Sequence, residues 1–148
     1  MLPPARTLEE RKRDTLDRLT HDVDAWVATA SPDGAPYLMP LSFLWDGTGL
    51  LMSTRSSNPT LVNLRARALA HVSLGPTRDV VLITGEAELL ESISDELADS
   101  FAAKAGFDPR QAKASYPYFR IVPRTIQAWR EVNEIAGRDL MRDSQWLA

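Results

Sequence analysis

No cysteine occurs among the 148 residues. That excludes structural disulfides, thiolate zinc centres and thiol nucleophiles, and it suits a reducing cytoplasm. Long apolar runs are missing as well. No stretch approaches the roughly 20 apolar residues of a membrane span, and Met1-Leu2-Pro3-Pro4-Ala5-Arg6 lacks the apolar centre of a secretion signal. The chain therefore reads as soluble and cytoplasmic, with no membrane partner. Positive charge is in deficit: 17 Lys and Arg stand against 20 Asp and Glu, for a net charge of -3. A general nucleic-acid binder needs phosphate-neutralising groups in surplus, so no nucleic-acid partner is expected.

The usual frames for side-chain chemistry are also scarce. No Gly-rich triphosphate loop is present, and no serine sits in a nucleophile-elbow pattern. The only histidines are His21 and His71. His71 falls inside a strand pattern and reads as structural. His21 with Asp22 and Asp24 has the residue types of a metal trio, but one His near two acids in a loop is a common coincidence, and no metal is assigned. Glu9-Glu10 and Glu86 with Glu88 give no sign of a shared pocket. No catalytic side chain is assigned, which favours a cofactor that carries its own reactivity.

What is present is enough apolar material, 44% of residues, for one core, and residues 1–148 read as a single domain. Thr7-Leu8-Glu9-Glu10 has capping-box spacing and opens a helix over about 8–19. Its charges alternate in sign through Arg11-Lys12-Arg13, which predicts a solvated face. From Ala25 the period becomes two. A strand over 25–30, a turn at Ser31-Pro32-Asp33-Gly34 and a return strand from Tyr37 to Trp45 form a hairpin. The return strand is apolar on both faces, as expected of a barrel wall with a core behind it and a partner or ligand in front. Further strands are predicted over 50–53, 70–74, 80–90 and 118–129, with Gly85 marking a bulge and Pro123 a bend. Helices fall at about 59–66 and 94–105, the latter closed by Gly106, and a short one restarts at Asp108-Pro109. The tail from about 131 to 148 has mixed character. The pattern is mainly β with α insertions, an antiparallel barrel of six strands.

Thr54-Arg55-Ser56-Ser57-Asn58-Pro59-Thr60 runs from a strand into a helix and has the parts of an anion site. A helix amino terminus offers unpaired N–H groups and the positive end of its dipole, Ser57 and Thr60 add donors, and Arg55 brings charge and a planar fork. Read alone, the same residues also describe an ordinary capped helix after a polar loop. Near the carboxyl end, Trp129-Arg130-Glu131 and the segment from Gly137 to Trp146 concentrate Trp and Arg. These types favour contact surfaces, and equally suit core and ordinary surface.

In order of elements and in residues, the chain resembles the pyridoxamine 5'-phosphate oxidase-like FMN-binding split-barrel family, within the flavin- and deazaflavin-dependent oxidoreductases. The carriers are the hairpin from Val27 to Phe43 through Pro36-Tyr37-Leu38-Met39-Pro40-Leu41-Ser42, the strand end Met52-Ser53-Thr54-Arg55, the helix with Asn63-Leu64-Arg65, and Gly85-Glu86-Ala87-Glu88-Leu89. Gln127-Ala128-Trp129-Arg130-Glu131 and the tail from Gly137 to Asp143 look shared with related small proteins. The resemblance implies a six-stranded split barrel of FMN-binding type and a homodimer with the cofactor at the interface. The ring would lie near Met39, Pro40, Leu41 and Ser42, and the phosphate against Ser53, Thr54, Arg55, Ser57 and Thr60. Trp129 and Arg130 join the expected cofactor-binding set. Hydride exchange with a small-molecule substrate follows, with FMN as the expected cofactor, coenzyme F-420 as the alternative, and non-catalytic cofactor storage or sensing as a second class. Where family members often carry Lys, this chain has Thr60. The basic signature for the vitamin B6 substrate is not recognisable.

Overall fold

The computed structural model describes residues 1–148, and its strands join in a single sheet in which every pairing is antiparallel. α1 (Leu8–His21) opens on the expected box: the Thr7 hydroxyl accepts the Glu10 N–H, and the Glu10 carboxylate accepts the Thr7 N–H. Two amides left open by the first turn are thereby satisfied. The helix continues two residues beyond the expected end. Its charged side is not wholly solvated, contrary to expectation. Arg11 is buried and donates to the carbonyls of Ala128 and Gly137, tying the helix to the carboxyl-terminal part of the chain. Alternating charge signs do not reveal that one arginine caps carbonyls far along the sequence.

β1 (Asp24–Ala30) and β2 (Pro36–Ser42) form the hairpin, with Gly34 taking the positive φ of its turn. The expected return strand to Trp45 breaks at Phe43, whose N–H turns to the Val23 carbonyl while its side chain fills the core. Leu44–Trp45 is thus a separate β3, paired with β4 (Leu50–Ser53). α2 (Pro59–Ala66) precedes β5 (Leu69–Leu74) and β6 (Val80–Leu90), and α3 (Asp95–Ala105) precedes β7 (Tyr118–Trp129). Gly106 closes α3 in the left-handed region, as its position predicts.

The tail is ordered into a hairpin of β8 (Asp139–Arg142) and β9 (Gln145–Trp146), with β8 paired to the end of β7. The barrel of six strands therefore becomes a sheet of nine. One extra strand comes from the break at Phe43 and two from the tail.

The main path of the sheet is β2-β1-β5-β6-β7-β4-β3. Its longest pairing, β6 with β7, slips register between Thr84 and Gly85, where Gly85 stands opposite Pro123. A proline has no N–H for the ladder, and a bulge bends and twists the strand that carries it. The sheet curls until β2 lies against β4 without hydrogen bonding to it, leaving a barrel open along one seam. Val27, Met52, Leu64, Val72, Ile83 and Phe119 fill the inside. Outside, the register puts Trp26, Leu38 and Leu82 on one face of the β2-β1-β5-β6 wall, and Leu69 lies on the same wall; all four are exposed. No helix is long and apolar enough to cross a membrane.

Candidate functional site

The seam is where the chain brings its candidate residues together. Pro40, Leu41 and Ser42 end β2, Ser53 ends β4 with Thr54 just after it, and the two ends line one cleft of about 340 Å³. The other walls are Asp24 and, from α3 and the segment after it, Phe101, Ala105, Phe107 and Tyr116. Five of the eleven expected cofactor-binding residues therefore meet in one place, from strands that are not hydrogen-bonded to each other.

Polar groups in the cleft are already oriented. The Ser42 hydroxyl donates to Asp24 Oδ1 at 2.7 Å, and the Ser53 hydroxyl donates to the Tyr116 carbonyl at 3.0 Å. The aromatic wall is built from edge-to-face pairs, Phe101 with Tyr118 at 5.7 Å and Phe107 with Tyr116 at 5.0 Å. The Tyr118 hydroxyl is enclosed without a hydrogen-bond partner. Burial, with the charge of Asp108 adding to it, pushes the phenol's pKa up, so it stays protonated at neutral pH.

The loop into α2 differs in one respect from its expected form. Asn58 caps the helix: its Oδ1 accepts the Thr60 N–H at 2.9 Å, and its carbonyl accepts the Leu61 N–H at 3.0 Å. Pro59 has no N–H to give. The unpaired amides expected at this helix terminus are thus already taken by the cap. The donors left are side chains: Arg55 and Ser57 are exposed, and Thr54 is buried at the end of β4. Thr60 is enclosed, and its hydroxyl has no partner. The exposed Arg55 and Ser57 side chains are donors of the kind a phosphate-bearing ligand uses, whereas the Thr60 hydroxyl is closed off from the surface; the apolar and aromatic cleft suits a planar ring.

Six expected residues do not line the cleft: Arg55, Ser57 and Thr60 belong to the loop and first turn of α2, and three others stand further apart. Met39 points to the inner side of the wall and packs against the core rather than lining the cleft. Trp129 and Arg130 lie at the far end of β7 from Tyr118, 11 residues away and on the order of 30 Å along the strand. There Arg130 pairs with Asp79 at 3.2 Å, and Arg138 stacks over the Trp129 ring at 5.7 Å. His21 ends α1 against the Asp17 carbonyl, and no cluster of three metal-ligating side chains includes it.

Asp24, Phe101, Ala105, Phe107 and Tyr116 were not foreseen. They come from three separate segments with no common period. A compositional signal did exist: five of the seven Phe and Tyr residues, Phe101, Phe107, Tyr116, Tyr118 and Phe119, fall within nineteen residues.

A curled antiparallel barrel with a cleft in its open seam defines the split-barrel architecture. The family model for pyridoxamine 5'-phosphate oxidase matches residues 16–133, and the chain belongs to that family. Among solved structures, an FAD-binding protein from Mesorhizobium loti is similar at 20% identity and a TM-score of 0.66, covering 85% of this chain and 94% of the other. An F-420 reductase is similar at 18% identity and a TM-score of 0.63, covering 74% and 93%. A protein from Clostridium acetobutylicum, related to general stress protein 26 of B. subtilis in the pyridoxinephosphate oxidase family, is similar at 14% identity and a TM-score of 0.61, covering 88% and 99%. Such identities speak for the fold. Among curated proteins, none matches the sequence.

Proposed function

We propose that this chain is a flavin-type oxidoreductase that binds its cofactor in the seam, with FMN as the first candidate and the deazaflavin F-420 as the alternative. The observation that carries this is the meeting of Pro40-Leu41-Ser42 with Ser53-Thr54 in one cleft, with the exposed Arg55 next in the chain after Thr54. Arg55 holds the phosphate by a charge-assisted fork, and Ser57 and Thr54 add hydroxyls. Pro40 and Leu41 bear on the ring, and the Phe101 and Phe107 side of the cleft excludes water from it. When bound, the cofactor supplies hydride exchange at its ring; the chain supplies position.

The unit is a homodimer. An outer wall exposing Trp26, Leu38, Leu69 and Leu82, interspersed with Ser73 and His71, has the mixed apolar and polar character of a surface that receives a partner. A second copy on that wall brings a Trp129-Arg130 end towards the other copy's cofactor, which accounts for their separation from the seam within one chain. A small-molecule substrate, met in the cytoplasm, completes the site.

The test is the colour of the purified protein and its affinity for added cofactors. Yellow flavin absorbance favours FMN; a colourless protein that binds added F-420 favours the deazaflavin; neither binding removes the proposal. Thr60 in place of the family's usual Lys leaves one positive charge fewer at the phosphate, which keeps the deazaflavin reading open. Binding with no turnover of any acceptor assigns the chain to cofactor storage or sensing.

A further inference from the structure

Arg11 is 7% exposed, yet it forms no ion pair. A cation taken out of water is costly unless an anion or a full set of acceptors replaces its hydration. At Arg11 the set is incomplete. Both of its hydrogen bonds, to the carbonyls of Ala128 and Gly137, leave from Nη1. Nε is sealed without a partner, whereas Nη2 makes no hydrogen bond and is not sealed.

Arg11 shares with Gly137, Asp139 and Arg142 the walls of a cavity of about 360 Å³ between α1 and the tail hairpin, and Leu8 and Leu147 give it apolar sides. A Cβ on Gly137 would stand 3.5 Å from Nη2, so the missing side chain leaves the approach to the guanidinium open. The walls are fixed from behind. The Leu147 N–H donates to the Leu140 carbonyl at 2.8 Å, and the Asp139 carboxylate accepts Gln127 Nε2 and Arg142 Nη2, each at 2.8 Å. No residue of this cavity lines the seam cleft or belongs to the outer wall given to a second copy.

The charges of the lining select the occupant. Arg142, and after it Gln127, hold the Asp139 carboxyl below its ordinary range, so it is ionised at neutral pH. Arg11 and Arg142 against Asp139 leave one positive charge in surplus. A monoanion balances that surplus, and a phosphate dianion oversteps it. We propose that this cavity binds a small organic monocarboxylate, with its oxygens on Arg11 Nη2 and the Arg142 guanidinium and its aliphatic part between Leu8 and Leu147. Arg142 reaches it with the nitrogens that Asp139 leaves free. Such a ligand completes the acceptors of a buried cation and joins α1 to β8 through one molecule. Binding therefore tightens the contact between helix and tail that Arg11 already makes, whatever occupies the seam.

The experiment titrates the full chain at neutral pH with hexanoate, hexanol and inorganic phosphate, and amide NMR shifts locate each ligand. Hexanoate is expected to saturate one site centred on Leu8 and Gly137, and to bind about tenfold more tightly than either of the others, the worth of one charge-assisted contact. Gly137→Ala puts a carbon over Nη2 without touching a charge, and Arg142→Gln removes an exposed arm. Each is expected to weaken hexanoate about tenfold while the melting temperature without ligand stays close to the wild type. Arg11 itself is left in place, because it fastens α1 to the tail. Shifts centred on Pro40-Leu41-Ser42, or spread over the surface without saturation, overturn the site. So does wild-type affinity in either variant. Phosphate or hexanol binding as tightly as hexanoate overturns the monocarboxylate assignment.

Discussion

Glu134 receives Arg6 from 128 residues away, with Nε and Nη2 reaching its two carboxylate oxygens at 3.0 and 2.8 Å. The same carboxylate accepts the backbone N–H of Arg6 at 2.9 Å and of Arg130 at 2.8 Å. Glu134 is only 4% exposed. One buried acid therefore fastens the segment before α1 to the backbone that leaves Trp129, and Arg6 carries the link on to Asp14 at 3.1 Å.

Replacing Glu134 by Gln leaves the largely buried Arg6 guanidinium with Asp14 as its one remaining carboxylate, and we expect roughly 2 kcal/mol of lost stability at neutral pH. The Arg6 hydrogen bonds, foremost among the causes, hold the Glu134 carboxyl at about 2 against an ordinary 4.5. A folded-state pKa below the unfolded one means that the contribution is complete above the unfolded value and fades as pH falls towards 2. Urea midpoints of wild type and Glu134→Gln should therefore converge between pH 5 and pH 2 (about the range set by the two pKa values). A gap that stays constant through that range refutes the link.

Arg55→Ala is expected to weaken cofactor binding about tenfold or more, since it removes a charge-assisted contact to the phosphate. Its melting temperature without cofactor should match the wild type, because the side chain is exposed and makes no ion pair. Fluorescence titration against FMN and F-420 measures the first expectation, and a thermal melt the second.

Leu38→Glu puts a charge on the outer wall at its β2 edge, where Leu38 is 59% exposed. It should leave the single chain folded and halve the mass seen by sedimentation. A wild-type chain that sediments as a monomer refutes the dimer directly.

Gly85→Ala is expected to cost about 1–3 kcal/mol, the usual range for forcing an extra carbon into a packed place. The new Cβ would lie 2.7 Å from Ile121 Cγ2 and 2.7 Å from the Val122 carbonyl oxygen. Gly34→Ala is the comparison: its Cβ would meet nothing within 4 Å, although its φ of +89° adds backbone strain. Chemical denaturation of both separates crowding from conformation.

Local chemistry made much of the fold legible. Thr7, Asn58 and Ser94 cap the three helices through side-chain oxygens, and each lies where its residue type and spacing put it. The bulge at Gly85 was equally readable. The break at Phe43 was not, because the alternation of Leu41, Phe43 and Trp45 runs straight through it, and only the pull of the Val23 carbonyl turns the chain. The tail hairpin escaped notice because its turn places Asp143 and Ser144 at positive φ with no glycine to mark it. Of the site, the residues on β2 and β4 were legible because strand order put them there. The aromatic side was not, since α3 and its following loop reach the seam through tertiary packing alone.

The slip at Thr84–Gly85 also sets a dimension of the molecule. β6 and β7 form the spine of the sheet, with β5 and β1 leading from one side to β2 and β4 leading from the other to β3. The bend in that spine fixes how far the two arms close, and hence the gauge of the seam between β2 and β4. Substitutions around Gly85 and Pro123, neither of which lines the cleft, are thus expected to work as the screw of a calliper whose jaws are Pro40-Leu41-Ser42 and Ser53-Thr54.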